Sequence, residues 1–519
     1  MMILNSKAHI RYLAELKQEN MSFDEVEERR KTDPMVQGFV NIVGRLIERI
    51  EHVENRLDRL ERHVYGRKAE KTSVIKSTLD LGDADYVVNN HKASRKKPAR
   101  QDLPDHLPRT EIILDDLTDE DKICGCCGYP KVLIGSEVRE ELVITRPEAR
   151  VNKFIRNKYA YNHCKQGKMV MANDLPRLIN KSIASHETYA FFMHQKFVMH
   201  MPVERLEREF KRQGLPLSRS TVYGWFGQIY DLFIISIIKA MKVELMESKV
   251  INADETTLKK QKSDEKGKCH TGYLWVFVGG KAVLYHYNDG RKQSVPLDFL
   301  EGFKGILLTD GLASYNEVVR KNNLKHANCN AHDRRNYVDL LLDGDQRAKG
   351  VIEWYSKIYE LEKRAKENNY SKEQLLALRQ SEGIALWEDR KILQEQLEQN
   401  NQRPKDPLGK ALKYTKVRWD SLKHYLDDPA IPIDNNIAER AVKDIVIGRK
   451  AWMFCKTEES AQMNAAYFSI AQTCKLLGVD CYHYLIDLFN QLAQNPKLNV
   501  KEHTPAKWAE KIELNKTKS

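Results

Sequence analysis

Three short acidic motifs, far apart in the chain, constrain its fold more than any other feature. Asp254 ends an apolar, strand-like run over residues 249–253, and Asp310 ends a second run over residues 305–309. Glu439 lies in a segment that is typical of the first turn of a helix. Carboxylates delivered by two strand ends and one helix can hold two divalent cations about 3.5–4 Å apart, which supports in-line attack on phosphodiesters. Oxygen ligands of this kind favour Mg²⁺ or Mn²⁺ over zinc.

Each acid taken alone has an ordinary structural interpretation. Asp254 would serve as a helix cap or a solvated turn residue, and Asp310 followed by Gly311 is common turn chemistry. Glu439 lies three positions after Asn436, which fits a capping box in which the third helical residue reaches back to the cap. Four cations follow the start of this helix and would neutralise phosphates beside a metal site: Arg440, Lys443, Arg449 and Lys450. The strand–strand–helix order, together with these cations, favours a catalytic site.

Apolar runs around the acids predict a mixed α/β sheet. Strands are predicted at residues 250–253, 273–278, 282–287, 305–309 and 325–328, and helices from Ser294 and over 314–321. Three strands with short links, followed by alternating helix and strand, match the sheet of ribonuclease H-like nucleases. A long, charged and helical segment follows, which we interpret as an insertion before the helix of Glu439.

The chain carries an excess of positive charge, which favours a polyanionic partner. Its 519 residues include 85 Lys and Arg against 73 Asp and Glu, a formal net charge of +12, and this length corresponds to about three or four domains. The most apolar stretch, residues 232–238, is far shorter than the roughly 20 residues of a membrane span. The N-terminus lacks a signal-peptide pattern. Cysteines clustered at 124–127 favour a reduced compartment and a metal site over disulfides. We therefore expect a soluble cytoplasmic protein with no membrane partner.

The N-terminal part contains a heptad seam followed by a basic linker. From residue 36 to residue 64 the apolar positions alternate in steps of three and four, with Glu and Arg at the flanking positions. This pattern is typical of a coiled coil, and a dimer zipper is favoured over packing within the same chain. The linker holds Arg95, Lys96 and Lys97. Such a segment either follows a DNA backbone or is a solvated spacer.

A cysteine knuckle follows the linker. Cys124 and Cys127 have the CxxC spacing, and a tetrahedral zinc site needs a second pair of ligands. That pair would be His163 with Cys164, or Cys164 with Cys126. A knuckle that folds without metal is an equal alternative.

Two consecutive helices are predicted before the first strand of the sheet. An amphipathic helix over residues 203–213 is broken at 214–216, and Ser218 or Ser220 can cap a second helix that runs through Tyr230. Helix, short turn and capped helix predict a helix-turn-helix DNA-binding region. Two packed helices are also common in any α-domain, so the helix-turn-helix interpretation depends on the position of these helices upstream of the three acids.

Motifs along the chain resemble, in the right order, those of bacterial insertion-sequence transposases of the insertion-sequence-sixty-six family, which have a DDE-type catalytic core. The likeness covers roughly residues 36–490. The matching segments are 65–71 (YGRKAEK), 107–109 (LPR), 253–256 (ADET), 273–275 (YLW), 310–315 (DGLASY), 329–335 (CNAHDRR) and 434–452 (DNNIAERAVKDIVIGRKAW).

The resemblance implies that three acids are catalytic and hold two Mg²⁺ or Mn²⁺ ions: Asp254, Asp310 and Glu439. The implied activity is hydrolysis at the 3′ ends of a mobile element, followed by transesterification into target DNA. A DNA-binding regulator or decayed transposase without cleavage activity is the main alternative. A ribonuclease H, a junction nuclease or a hydrolase of small phosphates would not need the N-terminal modules. The candidate DNA-contacting residues are Arg95, Lys96, Lys97, Arg334, Arg335, Arg440, Lys443, Arg449 and Lys450.

The resemblance also implies zinc ligands. Cys124, Cys127 and Cys164 take three of the family's four ligand positions, and Tyr161 stands at the fourth. Either a neighbouring side chain, His163 or Cys126, replaces the missing ligand, or the zinc has been lost.

The predicted architecture is multidomain α+β. Its segments are an N-terminal helical segment (1–35), a leucine-zipper coiled coil (36–71), a basic linker (72–110), a zinc-knuckle-like domain (111–172), a helix-turn-helix region (173–245), a ribonuclease H-like α/β core (246–345 and 429–495), a helical insertion (346–428) and a C-terminal tail (496–519). The expected partners are double-stranded DNA at the element ends and the target, and further copies of the chain in a homodimer or higher oligomer. Small companion proteins of the same element are also expected. The resemblance places the protein in the bacterial cytoplasm.

Overall fold

The computed structural model of this chain describes residues 149–159, 170–171, 173–262, 267–401 and 405–516. The predicted coiled coil and basic linker, with Arg95, Lys96 and Lys97, lie outside these ranges. So do the candidate zinc ligands Cys124, Cys127, His163 and Cys164.

The described residues divide into two units, one up to residue 174 and one from residue 175 onward. The described part of the smaller unit contains two short strands, β1 (Lys158–Tyr159) and β2 (Val170–Met171), which pair antiparallel. All elements described below belong to the larger unit.

A mixed sheet of five strands lies at the centre of the larger unit. The strands are β3 (Val250–Gln261), β4 (Cys269–Gly279), β5 (Ala282–Asn288), β6 (Ile306–Thr309) and β7 (Lys325–Asn328). Their order in the sheet is β5-β4-β3-β6-β7. The pairs β3–β4 and β4–β5 are antiparallel, whereas β6 is parallel to both β3 and β7. The predicted mixed sheet is therefore confirmed.

The strand that carries Asp254 is longer than predicted. β3 does not end at Ala253, because the residues from Asn252 to Gln261 all pair with β4. Its pairing with β6 stops where Asn252 lies opposite Leu308. Asp254 therefore lies within a strand, just beyond the point where β3 loses its neighbour β6.

Within residues 173–249, four α-helices precede the sheet: α1 (His186–Phe197), α2 (Val203–Arg212), α3 (Arg219–Ile229) and α4 (Ile235–Met246). The second and third are the two helices predicted for the helix-turn-helix region. Gly214, at φ +82, lies in the turn between them. Ser218 caps α3, since its side chain accepts a hydrogen bond from the Thr221 amide. The predicted succession of helices is present, whereas contact with DNA stays a prediction.

The remaining helices connect the strands, form the insertion and cover the sheet. Between strands lie α5 (Ser294–Phe299) and α6 (Asn316–Asn322), and α7 (Asn330–Leu342) follows β7. The insertion holds α8 (Lys349–Glu367), α9 (Lys372–Leu378), α10 (Ile384–Asn400), α11 (Pro407–Val417) and α12 (Trp419–Lys423). The chain ends with α13 (Asn436–Trp452), α14 (Glu458–Leu477), α15 (Cys481–Gln494) and α16 (Pro505–Lys516). Among the described residues, no helix is long and apolar enough to cross a membrane.

β6 contributes to two separate hydrophobic cores, because successive side chains of a strand point to opposite faces. Leu307 packs in the core that contains α1, α14 and α15. Ile306 and Leu308 pack in the core that contains the helices of the insertion, including Trp354 and Trp387. The insertion is therefore part of the structural support of the strand that leads to Asp310.

Helix α14 covers β5, at one edge of the sheet. Thr473 Oγ1 accepts a hydrogen bond from the Val283 amide at 2.9 Å and donates one to the Val283 carbonyl at 3.1 Å. Ser469 Oγ accepts from the Tyr285 amide at 2.9 Å. Free backbone groups on an edge strand are a template for pairing with another chain. Two hydroxyls of α14 satisfy three such groups.

Candidate active site

Asp254 lies on β3 among other carboxylates. Its Oδ1 accepts a hydrogen bond from the Glu255 amide at 2.8 Å. Burial raises the pKa of Asp254 to about 7, and the negative charges of Glu255, Asp310 and Glu439 add to this rise. Carboxylates shift one another in this way only when they are near neighbours. The structure therefore brings the three predicted acids into one neighbourhood.

Glu255 is a member of this neighbourhood that the sequence did not single out. Its side chain is only 4% exposed. Oε1 accepts hydrogen bonds from the Arg291 guanidinium, one of them at 3.1 Å, and Oε2 accepts from the Tyr315 hydroxyl at 3.0 Å. Burial raises the pKa of Glu255, while the bonds from Arg291 oppose that rise. The sequence contains one signal for this residue. Adjacent residues of a strand point to opposite faces of the sheet, so Glu255 should have a role different from that of Asp254.

Asp310 follows β6, and the helical insertion holds its backbone. The Asp310 carbonyl accepts a hydrogen bond from the Tyr414 hydroxyl at 2.5 Å, and its Oδ1 accepts from the Leu312 amide at 2.9 Å. Arg418 Nη2 donates to the Gly311 carbonyl at 2.8 Å. Gly311 has φ +87, and a Cβ there would overlap Arg418, so this position requires glycine. Two side chains of the insertion thus set the position of the second acid.

Glu439 lies in the first turn of α13, as predicted, but not in a capping box. The residue that precedes the helix makes no side-chain cap bond, and the Asn436 amide donates to Asp434 Oδ1 at 3.1 Å. Glu439 Oε1 lies 3.4 Å from His332 Nδ1, and Oε2 lies 3.3 Å from Arg335 Nη2. The capping-box interpretation is therefore wrong, because this carboxylate faces two basic side chains of α7.

Asn435 joins the start of α13 to the strand of Asp254. This fully buried side chain donates from Nδ2 to the Ala253 carbonyl at 2.8 Å and accepts from Asn252 Nδ2 at 2.9 Å. The backbone amide of Asn435 donates to Cys329 Sγ at 3.1 Å. In the sequence this residue stands out only as part of a motif, because an amide side chain carries no chemical signal of such a positioning role.

Cys329, His332 and Glu439 form a second group, with one ligand atom each within 4.8 Å of the others. Burial raises the pKa of the Cys329 thiol to about 12 and lowers the pKa of His332. The Cys329 thiol also accepts a hydrogen bond from the Asn435 backbone amide. Cys329 and His332 therefore lie beside Glu439 and form with its carboxylate a second group that could hold a metal ion.

The predicted DNA-contacting cations of the described region fall into two classes. Arg449 Nη1 donates to the side-chain hydroxyls of Thr256 at 2.8 Å and Thr257 at 2.9 Å, so it joins α13 to β3. The Arg334 guanidinium lies over the Tyr359 ring, 5.6 Å from its centroid. The other four are exposed: Arg335, Arg440, Lys443 and Lys450.

The three acids form a donor set that fits hard divalent cations. Among the described residues their oxygens are not all within 4.8 Å of one another, but a two-ion site, with ions about 3.5–4 Å apart, does not require that. Repulsion already disfavours the charged form of Asp254. A bound Mg²⁺ or Mn²⁺ would relieve this repulsion and lower the pKa of that carboxyl.

Family comparisons cover the chain from the N-terminal modules to the core. Residues 181–463 match the model described as "Transposase IS66 family". Residues 121–165 match "zinc-finger binding domain of transposase IS66", and residues 52–112 match "Transposase C of IS166 homeodomain". The first match spans more than half of the chain and contains all three acids. The second contains all four candidate zinc ligands.

Two proteins of Sinorhizobium fredii (strain NBRC 101917 / NGR234) are similar over most of their length. "Uncharacterized protein y4jD" is 28% identical over 464 residues, which cover 83% of this chain and 89% of that protein. "Uncharacterized protein y4qI" is 28% identical over 484 residues, which cover 86% and 87%. The likeness therefore extends well beyond the catalytic segment.

Proposed function

This chain belongs to the IS66 transposase family, and we propose that it moves its own mobile element by metal-dependent DNA cleavage and strand transfer. It would bind the terminal repeats, hydrolyse one strand at each 3′ end, and join the freed 3′-hydroxyls to target DNA by transesterification. One observation carries the proposal. Three acids from two strands and one helix meet in a neighbourhood that raises the pKa of Asp254 to about 7.

We also propose that the core is ribonuclease H-like. Three antiparallel strands followed by two parallel strands support this assignment. β3, the middle strand, bears Asp254, and Asp310 directly follows its parallel neighbour β6. α13 lies along β3 through the bonds of Asn435 at its start and Arg449 at its end. This packing brings Glu439 to the same place.

Asp254, Asp310 and Glu439 would hold the Mg²⁺ or Mn²⁺ ions. When bound, two such ions supply an activated water or 3′-hydroxyl and stabilise the charge that develops on the phosphate. The other residues of the site act by position. Arg335 Nη2 donates a hydrogen bond to Glu439 Oε2 at 3.3 Å, and His332 Nδ1 lies 3.4 Å from Glu439 Oε1.

DNA recognition would use the other modules. α2 and α3 would contact the terminal repeats, and the coiled coil would join two copies, because both ends must be held together. The four exposed cations near the site would contact phosphates. Zinc binding by Cys124, Cys127, Cys164 and His163 is part of the proposal, supported by the zinc-finger match over residues 121–165. Small companion proteins of the element would assist the reaction.

The decisive experiment compares the wild type with Asp310→Asn on linear DNA that carries the element's own ends. Strand cleavage with Mg²⁺ or Mn²⁺ and DNA binding are scored in the same tubes. We expect cleavage at the 3′ ends by the wild type only, with equal binding by both proteins. The amide keeps the shape of the side chain but removes a charged metal ligand. Mutation of a residue that only supports a metal ligand already costs about 10–100-fold in activity, so we expect a larger loss here.

Binding by both proteins without cleavage, even after companion proteins are added, would contradict the proposal. That outcome would favour a DNA-binding regulator on the same modules. Equal cleavage by both proteins would remove Asp310 from the site.

A further inference from the structure

The turn between α13 and α14 presents two apolar side chains to solvent. Met453 is 69% exposed and Phe454 is 44% exposed. They stand next to each other in a part of the surface that carries three exposed lysines, Lys450, Lys456 and Lys259, and two exposed acids, Glu458 and Glu459. We call residues 453–454 the apolar tip.

The backbone of the apolar tip is a tight turn of an uncommon kind. Met453 has φ +70 and ψ −49, and the Phe454 amide donates to the Trp452 carbonyl at 2.9 Å. These values define a γ-turn of the rare, strained hand. Residues kept in such conformations cluster at functional sites, where the surrounding structure holds them in place.

Both sides of the apolar tip are anchored in the protein. Before it, the Trp452 ring stacks on Phe468 with centroids 5.6 Å apart, and Gly448 leaves the space that this ring fills. After it, Cys455 is buried. The tip is therefore a rigid projection and not a loose loop.

The second anchor connects the apolar tip to the strand of Asp254. The Cys455 amide donates to the Lys259 carbonyl at 2.8 Å, and the Cys455 carbonyl accepts from the Gln261 amide at 2.8 Å. Along β3, the five steps from Asp254 to Lys259 span about 17 Å at roughly 3.3 Å per residue. This distance corresponds to about five base pairs of B-DNA, at roughly 3.4 Å per step.

We propose that the apolar tip inserts between stacked bases of the DNA, about five base pairs from the phosphate that is cut. Met and Phe are among the side chains that proteins use as wedges between base steps, which unstack and kink the duplex. The surrounding lysines match the charge of the flanking phosphates, which favours DNA over an apolar protein surface as the occupant. Glu458 and Glu459 lie in the first turn of α14, where acidic side chains offset the positive end of the helix dipole, and Glu458 also lies 3.8 Å from Lys260. This inference rests on the proposed function and adds to it a distortion of the substrate.

The test uses 2-aminopurine, a base whose fluorescence rises when it is unstacked. Duplexes copied from the element's ends carry it at single positions between about three and about eight base pairs from the cleaved phosphate. We expect the wild type to raise the fluorescence several-fold near the fifth position. The double variant Met453→Ala/Phe454→Ala is expected to lose that rise and to cleave about ten- to a hundred-fold more slowly, because the DNA is no longer held in position.

Three further variants sharpen the test. Ile392→Ala removes an apolar side chain of similar exposure (56%) on α10 of the insertion, and it should leave the fluorescence unchanged. Met453→Gly and Phe454→Ala each remove one side chain, and the glycine keeps the turn. If the double variant does not fold, Met453→Gly and Phe454→Ala replace it in the test. Each should show a smaller rise in fluorescence than the wild type.

Other outcomes overturn the inference. A fluorescence rise that persists in the double variant excludes the tip as the wedge. If the double variant also dissociates into monomers in sedimentation while the rise persists, the tip is a contact between two copies of the chain and not the wedge. Cleavage by the wild type without any rise overturns the inference and leaves the proposed function intact. A wild type that neither binds nor cleaves the duplex overturns both.

Discussion

Met453 combines a strained backbone with an exposed side chain. Its φ of +70 lies in the left-handed region, where a residue with a Cβ costs about 1–3 kcal/mol. With 69% of the side chain exposed, packing offsets little of that cost. Strain without a packing benefit is what we expect of a residue whose contacts form only with a partner.

Replacing Met453 by glycine should therefore stabilise the free protein. We expect Met453→Gly to raise the free energy of unfolding by about 1 kcal/mol, because glycine adopts positive φ without a steric cost. Urea unfolding measures it. Asn323→Gly, at φ +53, is the matched control and should gain less, since asparagine tolerates this region. A loss of stability in Met453→Gly would mean that the methionine side chain packs against the protein.

Asp254 should make the stability of the metal-free protein depend on pH. Its pKa is raised from 3.8 to about 7 by burial and neighbouring carboxylates. Because the folded state binds this proton more tightly, the resulting stability is fully present below about pH 4 and is lost as the pH rises through about 7. Asp254→Asn resembles the protonated form. We expect it to be more stable than the wild type at pH 8, by on the order of 1–3 kcal/mol, and equal to it below about pH 4.

Thermal unfolding in the presence of a chelator measures this difference. Asp420→Asn, which removes an exposed carboxylate, is the control and should change the stability little. Added Mg²⁺ should then stabilise the wild type more than Asp254→Asn, because a ligand stabilises only the state that binds it. A constant difference between the wild type and Asp254→Asn from pH 4 to pH 8 would contradict the assignment of the buried charge.

At the scale of elements, the insertion acts on the site through its side chains. Tyr414→Phe removes the 2.5 Å hydrogen bond to the Asp310 carbonyl and little else. We expect about ten-fold slower strand cleavage, because even a small displacement of Asp310 would misplace a proposed metal ligand. The free energy of unfolding should fall by only about 1 kcal/mol. DNA binding should not change.

Cleavage, binding and unfolding are measured on the same preparations, with Tyr370→Phe as the control. Tyr370 is an exposed tyrosine of the insertion, far along the chain from the contacts of Asp310. Equal cleavage rates for Tyr414→Phe and the wild type would separate the insertion from the chemistry.

The five strands and the helices α2 and α3 followed from the sequence, whereas the contacts that complete the site did not. Runs of apolar residues predicted all five strands of the sheet, because buried strands consist mainly of apolar residues. The extension of β3 from Asp254 to Gln261 was missed, since these residues are largely polar and are held by pairing with β4. The bond from Tyr414 to Asp310 joins residues 104 positions apart. No local pattern encodes such a contact.

At the scale of the whole molecule, the two cores should unfold together. Leu307 and Leu308 are adjacent and fully buried, yet they belong to different cores. We expect Leu307→Ala and Leu308→Ala each to lower the free energy of unfolding by about 2–5 kcal/mol, within one common transition. Circular dichroism and tryptophan fluorescence should report the same midpoint, since both cores contain buried tryptophans, Trp225 and Trp275 in one and Trp354 and Trp387 in the other.

The exposed Leu232→Ala serves as the control and should change stability little. Two separate transitions, with each variant shifting only one, would show that the insertion is an independent folding unit.

The covering of β5 by α14 also has a consequence during synthesis of the chain. Tyr285 and Ser469, which form one of its bonds, are 184 residues apart in the chain. At roughly 5–20 residues per second, a ribosome needs about 10–40 seconds between the two. During that interval the β5 edge is made but has no cover, so each newly made copy passes through a period in which it can pair with another nascent chain. The yield of active protein from each messenger RNA should therefore depend on how fast the ribosome translates the insertion. It should also depend on the chaperones that are present during that interval.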